Sequence, residues 1–295
     1  MKTGNNMNLL IKYFATLLIL PLLLVSCSNQ KPENAVNTEA ALNKKGIVNG
    51  SRIIKRNADK FASVLRLQID DHGLCSGTYL GNGYVLTAFH CVGLAHSLQD
   101  KDKPTIHLSS TAGLHTSRAS KVEELEVFVA PSDTSITVGR TKVPMPDIVL
   151  LQFKGEFAKE LEGIPKAKIG KKALLLDDNE TYIAGYGHDQ FDRFVSAVGL
   201  LNFGLVKLNN IDDLIVTSSY KEGDKYSAVL PGDSGGPLFK FDKDGLVVYG
   251  VASSVGYDRF EVSIEGTASG AESKHSRTDT ESVSEWIECI ISQLF

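Results

Sequence analysis

The chain carries no strong charge of either sign. Its 295 residues have a formal net charge of −4 at pH 7, and no basic stripe runs along the sequence, so we expect no nucleic-acid partner. The chain also lacks internal repeats and low-complexity runs, and its 42% hydrophobic content excludes wholesale disorder. No residue pattern demands a metal ion, and we expect no cofactor. The length allows one large domain or two smaller barrels.

The hydrophobic run near the N-terminus, YFATLLILPLLLVSC, is too short for a comfortable membrane span. Together with the basic residues before it, the run predicts a signal peptide over residues 1–26. Its last four residues, LVSC, resemble a bacterial lipobox, in which the cysteine receives lipid. We therefore expect an exported protein that is anchored through Cys27 to the bacterial outer membrane or cell surface. An ordinary signal peptide with a leftover cysteine is the alternative.

The polar segment 27–46 has no apolar periodicity and no aromatic residue, which predicts a tether or propeptide. From residue 47 onward, short apolar segments alternate with turn signals. Gly81-Asn82-Gly83 and Asp244-Gly245 each stand between two apolar runs, as in β-hairpins. Helical periodicity is clear near the C-terminus, at Val283, Trp286, Ile287, Ile290 and Leu294. This pattern predicts an all-β fold of barrels with one C-terminal helix.

Three residues could combine into a nucleophilic site. Ser234 lies in the glycine-rich stretch PGDSGGPLF, and a serine hydroxyl needs a neighbouring base to become a good nucleophile. His90, which ends an apolar strand in LTAFHC, is the candidate base. Asp147, in PDIVLLQF, begins a buried strand, where its carboxylate needs a partner such as a histidine N–H. Taken alone, each residue has a plainer interpretation, as a turn serine, a packed histidine and a strand-start aspartate.

The cysteines support the same arrangement. In an exported protein, Cys75 in LCSGTYL and Cys91 next to His90 are expected to form a disulfide, which would hold the loop of the histidine against a neighbouring strand. A purely structural staple is the alternative. Cys289, on the predicted C-terminal helix, would pair with Cys27 if that cysteine carries no lipid; otherwise we expect Cys289 to be a buried thiol.

The motifs around His90 (TAFHC), Asp147 (DIVLL) and Ser234 (GDSGGP) resemble the trypsin/chymotrypsin family of serine proteases, in the chain order of that family. IVNG at 47–50 resembles the mature N-terminus of the family, AGYG at 184–187 its mid-chain glycine motif, and SEWI its final helix. The resemblance therefore covers the whole segment 47–295. It implies two six-stranded antiparallel β-barrels, a C-terminal helix and hydrolysis of polypeptide substrates.

The resemblance also implies a role for each residue of the site. His90 would take the proton of the Ser234 hydroxyl and return it to the leaving amine, while Asp147 would orient the imidazole. The backbone N–H groups of Gly232 and Ser234 would form an oxyanion hole for the charge that develops on the substrate carbonyl.

Activation by proteolysis is a further implication of the resemblance. Asp233 would pair with the new α-amino group of Ile47 after a cut between Gly46 and Ile47, so we expect a zymogen and an activating protease. Gly46 departs from the lysine or arginine that precedes this cut in the family. An enzyme that cuts after Lys45 would leave Gly46 in front of Ile47, and the activating enzyme is therefore not identified by the sequence.

The substrate pocket also follows from the alignment with the family. Ala228 stands where enzymes that cut after lysine or arginine have a carboxylate, and Ser253 and Val255 would lie on the pocket wall. Because Val255 replaces a glycine, we expect a narrow entrance and a preference for small or medium apolar residues before the cut. In one alignment His275 would lie near the back wall of the pocket, where it could accept glutamate before the cut, but we expect it at the surface.

Two other functions are compatible with parts of the sequence. The serine motif also satisfies the G-x-S-x-G pattern of α/β-hydrolases, but that fold needs a helix directly after the serine, where this chain has Pro237 and a strand pattern. A non-catalytic binding protein on a protease scaffold is the second alternative. Such a protein would usually have lost one of His90, Asp147 and Ser234, and all three are present.

Overall fold

The fold is described from a computed structural model over residues 47–69, 73–93, 106–111, 125–138, 141–171, 173–174, 180–188, 199–257 and 270–292. The predicted signal peptide, Cys27 and the tether that ends at Gly46 lie outside the described residues, as does Leu294. No helix in the described ranges is long and apolar enough to span a membrane.

Most of the described chain is strand, and short helical segments connect the strands. In chain order the strands are β1 (Ser51–Arg52), β2 (Val64–Ile69), β3 (Gly73–Gly81), β4 (Tyr84–Thr87), β5 (Ile106–Ser110), β6 (Leu125–Val129), β7 (Thr134–Val138), β8 (Thr141–Met145), β9 (Val149–Phe153), β10 (Lys168–Ile169), β11 (Tyr182–Gly185), β12 (Asn202–Leu205), β13 (Lys207–Ile211), β14 (Ile215–Lys221), β15 (Pro237–Asp242), β16 (Gly245–Tyr257) and β17 (Gly270–Arg277). The helices are α1 (Phe89–Gly93), α2 (Gly155–Leu161) and α3 (Glu281–Ser292), and a 3₁₀ segment covers Lys55–Phe61.

The strands form two large antiparallel sheets. The first has six strands in the order β5-β2-β3-β4-β9-β6, and the second has the order β1-β12-β11-β15-β16-β17-β14-β13, with the two-residue β10 added in parallel beside β16. β7 and β8 pair separately. Curled antiparallel sheets with a C-terminal helix confirm the predicted all-β, chymotrypsin-like fold class.

The first predicted hairpin turn has the backbone geometry that its sequence requires. Asn82 and Gly83 join β3 to β4 with φ values of 52° and 80°. Two successive residues with positive φ match the twist of the flanking strands, and asparagine followed by glycine adopts this conformation at low cost. The hairpin places the end of β4 next to β9, which is buried at all five positions.

Aromatic side chains pack the 3₁₀ segment before β2 against the larger sheet. Phe61, which ends the 3₁₀ segment before β2, lies 4.9 Å from Phe203 of β12 and 5.4 Å from Phe241 of β15, measured between ring centroids. A second apolar cluster in the larger sheet contains Ile47, Leu174, Ile183, Val206, Leu208, Val216, Val229, Leu238 and Ala252. Burying these side chains is the main favourable contribution to the stability of the fold.

The C-terminal helix confirms the predicted helical period. Val283 and Ile287 are buried, one turn apart, and the exposed positions of the helix other than Cys289 are all glutamate or serine. The expectation for Cys289 was wrong, because this residue is exposed. Cys289 lies two positions after Ile287, and two positions along a helix turn a side chain to nearly the opposite face.

Candidate active site

The sheet register brings His90 and Asp147 to the same place. β4 and β9 are antiparallel neighbours, with Thr87 opposite Val149. His90 lies three residues after the end of β4, in α1, and Asp147 lies two residues before the start of β9. Since the end of one antiparallel strand adjoins the start of its neighbour, the two side chains meet at one edge of the sheet.

The carboxylate of Asp147 is completely buried and accepts hydrogen bonds at both oxygens. The Nδ1–H of His90 donates to Oδ2 at 2.7 Å, and the backbone N–H of His90 donates to Oδ1 at 3.0 Å. An ionised carboxylate can only accept, so the proton on the neutral imidazole lies on Nδ1. The Nε2 atom of His90 is then left with the lone pair that a general base requires.

Two serines of the larger sheet complete the surroundings of Asp147. The hydroxyl of Ser253 donates to Oδ2 at 2.6 Å, and the backbone N–H of Asp147 donates to the hydroxyl of Ser276 at 3.0 Å. Ser253 lies at an irregularity of β16, where the pairing with β17 shifts between Ala252 and Ser254. Such a bulge redirects a side chain out of the regular alternation. We had expected Ser253 only on the pocket wall, and the sequence carried no signal for its contact with Asp147.

Ser234 lies in a tight turn before β15, called the nucleophile loop below (residues 230–236). Gly232 and Gly235 have φ values of 97° and 83°, which other residues adopt only with strain. The N–H of Gly235 donates to the carbonyl of Ala252 at 2.7 Å, and the N–H of Asp233 donates to Leu230 at 2.9 Å. Within the described part of the chain, the N–H groups of Gly232 and Ser234 donate to no protein acceptor. They are available to a ligand.

The nucleophile loop lies directly against the segment that leads to His90. A Cβ atom built on Gly235 would collide with the hydroxyl of Thr87 and would lie 3.0 Å from the backbone nitrogen of Ala88. Thr87 and Ala88 immediately precede α1, so glycine at position 235 permits a contact that any side chain would prevent. Ser234 is partly exposed beside this contact.

Ser76 of β3 binds the nucleophile loop on both sides of Asp233, a role that the sequence analysis missed. Its N–H donates to the carbonyl of Ser234 at 2.7 Å, and its hydroxyl donates to the carbonyl of Gly232 at 3.0 Å. The same hydroxyl accepts the N–H of Tyr186 at 2.9 Å. Ser76 is completely buried, so these bonds form without competition from water. The one available signal was its position directly after Cys75.

A disulfide links the two parts of the site covalently. Cys75 is bonded to Cys91, and these residues are the immediate neighbours of Ser76 and His90. The segment that binds the nucleophile loop is thereby fixed to the helix that carries the histidine. The pairing agrees with the expectation from the sequence.

Asp233 is a buried acid whose partners are backbone groups. Its two carboxylate oxygens accept the N–H groups of Gly187 and Leu230, each at 2.8 Å. Burial raises the pKa of Asp233 to about 7, and the two hydrogen bonds act in the opposite direction. Ile47 is itself buried in the apolar cluster of the larger sheet, and Val48 forms a β-bridge with Ala228. No ion pair between Asp233 and Ile47 is formed in the described uncut chain.

Ser273, another residue that the sequence analysis missed, pairs with one expected pocket residue, Val255, and contacts the residue next to the other, Ala228. Val255 is opposite Ser273 in the pairing of β16 with β17, and the N–H of Val229, next to Ala228, donates to the Ser273 hydroxyl at 3.1 Å. Ala228 is completely buried and Val255 is partly exposed.

The expectation that His275 lies at the surface was wrong, because its side chain is completely buried. His275 occupies the middle of three paired strands, between Val216 of β14 and Ala252 of β16. Its Nε2 lies 3.3 Å from the hydroxyl of Ser218, and burial lowers its pKa to about 3. The imidazole is therefore neutral at pH 7.

Among the described residues, no group of three or more histidine, cysteine, aspartate or glutamate side chains is arranged to hold a metal ion.

The comparison with known families agrees with this geometry. The trypsin family model matches residues 47–264, which is well over half of the chain. The matched segment begins at the expected mature N-terminus and includes the nucleophile loop, both sides of the disulfide and the His90–Asp147 pair. The chain therefore belongs to the trypsin family, whose members are serine proteases acting on polypeptides.

Proposed function

We propose that this protein is an exported serine endopeptidase that hydrolyses peptide bonds through His90, Asp147 and Ser234. The observation that carries the proposal is the buried 2.7 Å hydrogen bond between His90 Nδ1 and Asp147, next to a nucleophile loop that packs on the residues preceding His90. A base with its orienting acid, beside a serine in a constrained turn, is the arrangement that activates a hydroxyl.

The reaction proceeds in two steps. Ser234 Oγ attacks the carbonyl carbon of the scissile bond while His90 Nε2 takes the hydroxyl proton. When the C–N bond breaks, the proton passes from His90 to the leaving amine and an ester on Ser234 remains. Water then attacks this ester, again with proton transfer to His90, and the proton returns to Ser234 as the acid product leaves. Asp147 stabilises the imidazolium in both steps and does not itself take the proton.

The oxyanion hole is formed by the N–H groups of Gly232 and Ser234. Both lack an acceptor within the described chain, while their neighbours Asp233 and Gly235 are hydrogen-bonded. In the cleaved chain, donors that are fixed in position need no reorganisation when negative charge develops on the substrate oxygen, and one such donor contributes about 10²–10³ in rate.

The chain is made as a zymogen and is activated by a cut between Gly46 and Ile47. Two features of the uncut chain support this step. Asp233 is a buried carboxylate with a raised pKa, which the α-ammonium group of Ile47 would neutralise. Ile47 has a φ of 37°, a region that a β-branched residue adopts only with strain. A cut before Ile47 removes this strained backbone conformation and supplies an α-ammonium group that can pair with Asp233.

The residue preceding the scissile bond is small or medium-sized and apolar. Ala228 offers no carboxylate for a lysine or arginine, and a valine at position 255, in place of the glycine of the family, would narrow the proposed pocket. Peptide substrates that differ only at this position provide the test. Alanine or valine there should give a kcat/KM at least about tenfold above lysine, because burying the lysine ammonium without a partner is unfavourable. Faster cleavage after lysine or glutamate contradicts this specificity.

Export and lipid attachment at Cys27 anchor the zymogen to the bacterial outer membrane or cell surface, and cleavage before Ile47 releases the catalytic domain. Metabolic labelling with radioactive palmitate tests the anchor. Label should appear on the full chain and should disappear in Cys27→Ser, whereas Cys289→Ser, which changes an exposed cysteine far along the chain, should keep it. Export of an unlabelled chain would contradict lipid attachment.

The activity is tested with a fluorophosphonate probe, which bonds covalently to activated serines. The full chain should carry a specific protease site in place of residues 42–46, so that cleavage generates a free Ile47. Mass spectrometry should find the probe on Ser234 after cleavage, with none in Ser234→Ala and little before cleavage. A folded, cleaved chain that takes no label would overturn the peptidase proposal in favour of a non-catalytic protein on a protease scaffold.

A further inference from the structure

A cavity of about 450 Å³ lies outside the catalytic residues, between elements of the two sheets. We call it the arginine cavity. The lining residues that matter for its chemistry are Arg52, Ile53, Arg66, His107, Tyr186 and Leu200. Its volume is within the range of sites that bind small molecules or one or two side chains of a peptide.

The charged groups of the arginine cavity are all basic. Arg52 and Arg66 line it together with the imidazole of His107, and none of the described lining residues is a carboxylate. Neither arginine forms an ion pair with a described residue. An arginine is always charged at physiological pH, so the described lining presents two positive charges and no negative charge to a ligand.

Arg66 has hydrogen-bond donors that the described protein does not use. Its Nη2 donates to Oε1 of Gln68 at 3.3 Å, whereas its Nε is buried and has no partner among the described residues. A buried donor without an acceptor costs free energy, and a bound anion would remove that cost. The backbone of Gly199 lies close to the guanidinium, since a Cβ atom built on Gly199 would be 3.4 Å from Cζ of Arg66.

None of the described wall atoms accepts a hydrogen bond from Arg66 Nε. The carbonyls of Tyr186, Leu200 and Leu201 already accept hydrogen bonds, from Gly199, Asn202 and Ile53 respectively. Burial raises the pKa of Tyr186, and the positive charge of Arg66 opposes that rise. The phenol stays neutral at pH 7 and donates to the carbonyl of Val64.

Apolar surface borders the basic groups. Leu200 is 36% exposed, and it lies beside Ile53 and Leu201 in the lining. An inorganic anion would use only the guanidinium, whereas a peptide with a carboxylate next to an aliphatic side chain would also cover this surface. The combination favours a polypeptide ligand over a free ion.

The arginine cavity is also connected to the nucleophile loop. Arg66 is directly opposite Ser76 in the pairing of β2 with β3, so their side chains lie on the same face of the sheet. Ser76 binds the loop on both sides of Asp233, and Gly187, next to Tyr186, donates to Asp233. A peptide bound to Arg66 would therefore lie next to Ser76, the residue that binds the nucleophile loop.

We propose that the arginine cavity binds an acidic side chain of a polypeptide substrate, through the guanidinium of Arg66, as a recognition site separate from the pocket beside Ser273. The inference rests on the proposed peptidase function, because that function makes a polypeptide the ligand. The site would favour substrates that carry aspartate or glutamate next to an aliphatic residue, at a distance from the scissile bond.

Binding to the full chain with Ser234→Ala tests this site without turnover. The probe is a fluorescein-labelled peptide in which glutamates alternate with leucines, and its matched control has glutamine in place of glutamate. Fluorescence anisotropy should show the acidic peptide binding at least about tenfold more tightly, with an affinity that falls as salt is added. Arg66→Gln should remove the preference, because glutamine keeps a polar group beside Gln68 without the charge.

Lys207→Gln is the control variant, since it removes one exposed positive charge on β13, outside the lining. It should leave the preference unchanged. Equal binding of the two peptides, or equal losses in both variants, would overturn the proposal. Displacement of the acidic peptide by inorganic phosphate at equal concentration would overturn the assignment to a polypeptide. Fluorophosphonate labelling of cleaved chain with Ser234 intact reports the catalytic function separately, so either proposal can fail alone.

Discussion

Asp147 makes three hydrogen bonds through a completely buried carboxylate, and the most important of them fixes the tautomer of His90. Asp147→Asn should lower kcat by about 10⁴-fold, because the amide can donate to Nδ1 and leave the proton on Nε2, where the base is needed. The measurement is the turnover of a peptide ester by cleaved chain, with circular dichroism to verify folding. Ser253→Ala, which keeps the carboxylate of Asp147, should lower kcat far less. Similar losses in both variants would argue against tautomer control.

Ser76 is a positioning residue for the nucleophile loop. Ser76→Ala removes the bonds of its hydroxyl to Gly232 and Tyr186 but keeps its backbone bond to Ser234. We expect kcat to fall about tenfold or more with little change in KM, because a small displacement of oxyanion donors affects the transition state more than substrate binding. Steady-state kinetics of the cleaved chain on a peptide substrate separate the two constants.

The control for Ser76 is Ser110→Ala, which also removes a buried serine hydroxyl, here donating to the carbonyl of Ala62. Both variants should lower the free energy of unfolding by about 1–3 kcal/mol. On a peptide substrate without acidic residues, only Ser76→Ala should change kcat; the substrate is chosen in this way because Ser110 lines the arginine cavity. A kcat loss of equal size in Ser110→Ala would mean that Ser76 acts through general stability.

Between elements, the disulfide is the covalent link from β3 to α1. Its two cysteines are 16 residues apart, and closing a loop of that length stabilises the folded state by about 3 kcal/mol through the entropy of the unfolded chain. Replacing Cys75 and Cys91 with serine should lower the free energy of unfolding, measured with urea, by that amount. Cys289→Ser, on the exposed face of α3, should have almost no effect. A stability loss confined to Cys289→Ser would contradict the assignment.

The hairpin β3–β4 and the neighbouring β9 show what local sequence can specify about elements. Asn82-Gly83 determines the turn, and the run from Val149 to Phe153 identifies a strand buried on both faces. The hydrogen-bonded register between β4 and β9 follows from pairing between segments that are far apart along the chain, and it decides that His90 and Asp147 meet.

For the chain as a whole, Asp233 couples pH to stability before activation. Its folded pKa is raised to about 7 by burial, so its contribution to stability is fully present below its unfolded pKa and is lost as pH rises through about 7. Between pH 4 and pH 7, the free energy of unfolding of the uncut chain should fall by a few kcal/mol relative to that of the Asp233→Asn variant. Urea unfolding of both proteins across this range measures the difference.

The difference between the uncut chain and its Asp233→Asn variant isolates one carboxyl group. Buried His275 has a lowered pKa, and its contribution is lost as pH falls, which is the opposite sign. It is common to both proteins and cancels in the difference. After the cut before Ile47, the α-ammonium group should lower the pKa of Asp233. The fall of the stability difference with rising pH should then disappear or change sign. Parallel pH curves for the uncut proteins would contradict the raised pKa.

The sequence by itself determined the fold class and the disulfide pair, and it named residues for the candidate site whose roles stay predictions. These features depend on local chemistry: glycines that allow positive φ around Ser234, alternating and continuous apolar runs, and an asparagine-glycine turn. Each of these local features can be recognised within a short window, because the backbone preferences of a few neighbouring residues decide the outcome. The choice of His90, Asp147 and Ser234 depended instead on the resemblance of motifs along the whole segment 47–295.

Only the tertiary structure decided the surroundings of that site. Ser76, Ser253 and Ser273 acquire their contacts from strands far away along the chain, and no local pattern distinguishes such serines from surface ones. The burial of His275 has the same origin, since it depends on strands that cover β17 from both sides. Side-chain environment is set by which strands pair and in what register, and that pairing is a property of the assembled sheets.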